Sequence, residues 1–143
     1  MKTRSARSTD AEASKDKAAQ RPLVAVVDDD ESVRAALGSL FRSMGFRTEL
    51  FGGGEEFLGS TNLRDFSCLI LDVQMPGMDG LELQRRLAAA SHPIPIVFIT
   101  AYGDGNTRAQ ALRGGAVSFL SKPFSEDALL DAVQSAVEVE TRD

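Results

Sequence analysis

A single cysteine and a single histidine in 143 residues narrow the chemistry open to this chain. Cys68 has no partner for an internal disulfide. It lies inside an apolar run and is read as core packing, compatible with a reducing compartment. No apolar run approaches the roughly 20 residues that a membrane-spanning helix requires. No apolar segment follows Lys2 and Arg4, so the N-terminus is not a secretory signal. Positive charge is also in short supply. The net charge is −5, and residues 1–21 carry six basic side chains against three acidic ones, so the remainder is at −8. An acidic body behind a basic tail is not the footprint of a DNA-reading module; it suits a domain that holds a cation. What is present is ordinary for a globular protein: 43% hydrophobic and 26% charged residues, in a length that fits one domain with a real core.

Residues 1–21 hold almost no large apolar side chains and cannot offset their ordering entropy, which predicts a disordered basic tail. Leu23 to Val27 is a β-branched run that predicts the first strand, and it ends abruptly in Asp28-Asp29-Asp30-Glu31. Val33, Leu37, Leu40 and Phe41 recur on one helical face, with Ser32 or Asp30 as cap and Gly45 as stop. Arg47 to Phe51 alternates as a second strand, followed by a glycine turn and a short helix from Glu55 to Leu58. Cys68 to Asp72 is the third strand. Asp79 opens a helix with Leu81, Leu83, Leu87 and Ala88 on its apolar face. Ile94 to Thr100 is the fourth strand, with Pro95 near its start, where it is tolerated. A helix over 106–113 stops at Gly114-Gly115, Ala116 to Ser121 is the fifth strand, and Asp127 to Val139 is the last helix. Five strands alternating with five helices imply βαβ units and a parallel sheet.

The strand ends carry the chemistry. Strand one ends in Asp28 and Asp29, strand three in Asp72, strand four in Thr100 and strand five in Lys122. In a parallel sheet these side chains share one rim, where sites form in open α/β folds. Three carboxylates in one pocket raise each other's pKa unless a cation sits among them. Oxygen ligands of this kind suit Mg²⁺. A dication, an ammonium and a hydroxyl around one carboxylate equip a site for phosphoryl transfer, with Asp72 as the nucleophile.

Val27-Asp28-Asp29, Asp72 with Met75-Pro76-Gly77 and Gly80, Thr100-Ala101, and Lys122-Pro123-Phe124 together resemble the receiver domain of two-component response regulators over residues 22–140. Residues 141–143 form the C-terminal end. Tyr102-Gly103-Asp104 and Gly115-Ala116-Val117 look most like the receivers of nitrogen-fixation and nodulation regulators. The resemblance implies a flavodoxin-like, doubly wound α/β fold with strand order 2-1-3-4-5. It makes Asp72 the phosphoacceptor. Asp29, Asp72 and the backbone carbonyl of Gln74 would bind Mg²⁺ directly, and Asp28 through a water. Lys122 and Thr100 would contact the phosphoryl group, and Phe119 takes the switch-aromatic position without a hydroxyl. The Lys122-Pro123 bond is expected to be cis. The implied partners are a histidine kinase or phosphotransfer protein and a downstream protein, with no direct nucleic-acid or membrane contact. The implied setting is cytoplasmic, and a homodimer through the fourth and fifth helices is allowed but not specified. Such regulators normally add a helix-turn-helix output domain. This sequence stops at Asp143, which fits a single-domain regulator or a fragment, with the signal leaving by protein contact or by passing on the phosphate.

Three rivals are weighed against this reading. Gly53-Gly54-Glu55-Glu56-Phe57 matches the GGEEF signature of diguanylate cyclases, but that motif belongs in a hairpin of a larger domain. An aspartyl-phosphate phosphohydrolase wants a second aspartate two residues after its nucleophile, where this chain has Gln74. An inactive receiver serving as an adaptor would need a silent but intact site. His92, between the third helix and Pro93, is read as a loop residue and not as a phosphodonor. Tyr102 and Gln74 are expected to flank the site and limit water access.

Overall fold

The computed structural model describes residues 21–101 and 103–141; the predicted tail up to residue 20, Tyr102 and the last two residues lie outside them. The elements follow the expected alternation: β1 (Leu23–Val27), α1 (Glu31–Ser43), β2 (Arg47–Phe51), α2 (Gly54–Leu58), β3 (Cys68–Asp72), α3 (Gly80–Ala89), β4 (Ile96–Thr100), α4 (Gly105–Arg113), β5 (Ser118–Ser121) and α5 (Glu126–Thr141). The sheet is wholly parallel in the order β2-β1-β3-β4-β5, as the resemblance implies. A single 3₁₀ turn, Leu63–Asp65, precedes β3 and had no sequence signal. Among the described residues no helix is long and apolar enough to cross a membrane.

The central strands are buried along their whole length because helices cover both sheet faces. Alternate residues divide into two cores. Ala25, Val27, Leu69, Leu71 and Phe98 pack with Phe57 of α2, Leu83 and Leu87 of α3 and Ala111 of α4. Val24, Val26, Ile70, Val97 and Ile99 pack with Leu37 and Phe41 of α1 and Leu129, Val133 and Ala136 of α5. Cys68 belongs to the second core, and burial pushes its thiol up to about 12, so it is inert packing.

Several expected boundaries move. β4 starts at Ile96, not Ile94, and β5 at Ser118, not Ala116, although Val117 N–H already donates to Ile96 O. The last helix runs from Glu126 to Thr141, longer at both ends than expected. Asp30, not Ser32, caps α1: its carboxylate accepts from the Ser32 and Val33 amides, which leaves Ser32 inside the helix. On α3 the apolar face is phased differently. Ala88 is exposed and Gln84 is buried instead. The burial is tolerated because the Gln84 amide donates to Ala111 O at 2.9 Å, tying α3 to the end of α4.

The β3–α3 turn holds the rim together. Gly80 N–H donates to Val73 O at 2.8 Å, and a Cβ there would run into the Asp72 carbonyl and come within 3.0 Å of the Val73 Cα. The obstructing atoms are backbone and cannot rotate aside. Gly80→Ala is therefore expected to lose about 1–3 kcal/mol in urea denaturation; a variant as stable as the parent would show that this turn opens freely.

Candidate functional site

The register delivers the predicted residues to one rim. Val27 pairs with Leu71, so the next step sets Asp28 beside Asp72 at the carboxyl ends of β1 and β3. Asp72 pairs with Ile99, which places Thr100 one residue further along β4, and Thr100 pairs with Ser121, just before Lys122. Lys122 N–H donates to Thr100 O at 2.8 Å, and the Lys122-Pro123 peptide is cis. Asp28 and Thr100 are fully buried, Asp72 is nearly so, and Asp29 is exposed at the mouth.

The three carboxylates each offer an oxygen within 4.8 Å of the others. The Lys122 ammonium stands 3.5 Å from Asp28 Oδ2 and 3.7 Å from Asp72 Oδ2. Asp28 is fixed twice more. Its Oδ1 accepts from Asp30 N–H at 2.9 Å, and its carbonyl accepts from Arg34 Nη1 at 2.8 Å. Arg34 was not singled out from the sequence; its spacing on α1 offered no signal beyond a charge near the helix start. Gln74 is exposed, and its main-chain N–H donates to Asp72 Oδ1 at 3.2 Å.

Burial raises the Asp72 carboxyl from 3.8 to about 6, and the Asp28 charge pushes the same way; Lys122 and the Gln74 amide pull it back. Hard oxygen donors, one buried pair and one exposed member, are the donor set that a Mg²⁺ ion accepts.

Phe119 lies outside the acidic pocket. Its ring is buried against Phe98, with centroids 6.1 Å apart. The Arg108 guanidinium on α4 sits 5.8 Å from the ring centroid and donates to Phe119 O at 3.1 Å. Arg108 is the second residue that sequence reasoning missed. Gly53 caps α2, so the GGEEF-like stretch is a helix start and not a hairpin. His92 is a partly buried loop residue.

The raised Asp72 carboxyl gives stability a defined pH dependence. Its folded pKa lies above the unfolded value, so the favourable contribution is present below about pH 4 and is lost as pH rises through about 6. Without divalent ions, Asp72→Asn should melt above the parent at pH 8, and the gain should vanish near pH 4. A difference independent of pH over that range contradicts the burial argument.

The response regulator receiver domain model matches residues 24–134. Nodulation protein W of Bradyrhizobium diazoefficiens is 49% identical over 121 residues, which are 85% of this chain and 53% of that protein. The solved structure of the response regulator StyR superposes with a TM-score of 0.80 at 48% identity, covering 85% of this chain and 62% of StyR. FixJ-N superposes at 0.77 with 35% identity, covering 83% of this chain and 95% of that one. The chain thus spans about half the length of the curated relatives it matches. A parallel sheet in this order, an acidic rim at its strand ends and these likenesses agree: the chain belongs to the response regulator receiver family of two-component signalling proteins.

Proposed function

We propose that this receiver takes a phosphoryl group on Asp72 from a phosphohistidine of a kinase or phosphotransfer protein. The observation that carries the reading is the Lys122 ammonium set between Asp28 and Asp72 among three converging carboxylates. The reaction breaks the donor's P–N bond, leaves that electron pair on the imidazole nitrogen, and forms a P–O bond to an Asp72 carboxylate oxygen.

Each side chain has a part in this. Asp29, Asp72 and the Gln74 carbonyl would hold Mg²⁺, with Asp28 acting through a water. The ion, when bound, neutralises charge on the phosphoryl oxygens. Lys122 is a point charge for the same oxygens. Thr100 swings its hydroxyl toward the new phosphate. The added charge of about −1.5 to −2 draws Thr100 and Lys122 in. The packing of α4, β5 and α5 then shifts, with Phe119 as the moving ring. Gln74, exposed beside Asp72, limits the approach of water. The receiver unit is residues 22–140. The signal passes on by contact with a downstream protein or by phosphorelay.

Asp72→Asn should abolish incorporation of labelled phosphate from an acyl phosphate with Mg²⁺. Lys122→Ala should keep Asp72 but slow incorporation by about a hundredfold. Undiminished labelling of the Asp72→Asn protein would refute the assignment.

A further inference from the structure

The contacts around Phe119 go beyond a buried switch ring. The Arg108 guanidinium makes two contacts with this one residue: it lies over the ring face at 5.8 Å from the centroid and donates to the main-chain carbonyl at 3.1 Å. A planar guanidinium can do both at once, whereas an ammonium is a point donor. At the edge of the ring stands Gly103. A Cβ at that position would meet Phe119 Cε1 at 2.6 Å and Cζ at 2.9 Å, and the Thr100 methyl at 2.9 Å. The ring and Thr100 therefore both pack against the same bare Cα. Gly103 lacks a side chain where there is no room for one.

We propose that Arg108 is a positioning residue that clamps Phe119 inward, the ring position that phosphorylation of Asp72 would favour over an outward one, and so sets how readily Asp72 is phosphorylated. The proposal rests on the reading of Asp72 as phosphoacceptor. The coupling is steric. With the ring held in, Thr100 is backed by packed atoms and its hydroxyl stays at the rim. With the ring released outward, the vacated space lies beside the Thr100 methyl, and Thr100 relaxes into it and away from Asp72. Because Arg108 itself is exposed, its removal leaves no cavity in the core.

The test uses the full chain with a fluorinated phenylalanine at position 119. Fluorine NMR reads the ring, and labelled acetyl phosphate with Mg²⁺ reads Asp72. Arg108→Ala should move the resonance toward its solvent-exposed position and slow labelling by about tenfold, with the melting temperature little changed. Gly103→Ala should push on the ring edge and slow labelling in the same direction. Arg108→Lys keeps the charge but cannot make both contacts together, so it should resemble Arg108→Ala. An unmoved resonance in Arg108→Ala overturns the clamp. So does faster labelling, or full recovery by Arg108→Lys, which would indicate a long-range charge effect. If the parent chain takes no label, the phosphoacceptor reading fails, while the resonance still decides whether Arg108 holds the ring.

Discussion

Three carboxylates forced together at the ends of two adjacent buried strands are the constraint on which this structure turns. The register of β1 against β3 leaves Asp28 and Asp72 no choice but to be neighbours, and Asp29 follows Asp28 directly. Such crowding is unfavourable in a buried rim. Lys122, brought across by β5, offsets part of it, yet the Asp72 carboxyl still rises to about 6. A fold that optimised stability alone would place apolar or singly charged residues here. The departure from that rule, among well-packed strands, marks the rim as a site that works on charge.

The rest of the molecule keeps that rim rigid. Two apolar cores press the sheet from both faces. Arg34 and the Asp30 amide pin the loop after β1, and Gly80 lets α3 pack down on the backbone of Asp72 and Val73. Leading away from the rim, Thr100, Gly103, Phe119 and Arg108 lie in sequence from the end of β4 to the surface of α4.

The fold and the rim were legible because their signals are local. Leu23–Val27 and Cys68–Leu71 are apolar runs closed by acids, and parallel topology alone puts their ends together. Element edges were less legible, as at Ile94 and Ala116, because apolar composition continues where ladder hydrogen bonding does not. What the sequence hid were contacts between distant residues. Gln84 is buried because of a carbonyl 27 positions away, and Arg108 acquires its part only when β5 lies beside α4. Arg34 likewise looks like any surface charge until its reach to the Asp28 carbonyl is seen. Charged and amide side chains whose partners lie on other elements carry no periodicity to betray them.

Under the proposed reading, the crowded rim makes Asp72, and not its acidic neighbours, the group that bonds to phosphorus. This is tested most directly by treating the acyl-phosphate-modified protein with borohydride, which reduces a phosphorylated aspartate to homoserine, and mapping the product by mass spectrometry. Homoserine at position 72 alone is the predicted result. Homoserine at 28 or 29, or at no position, would contradict the account.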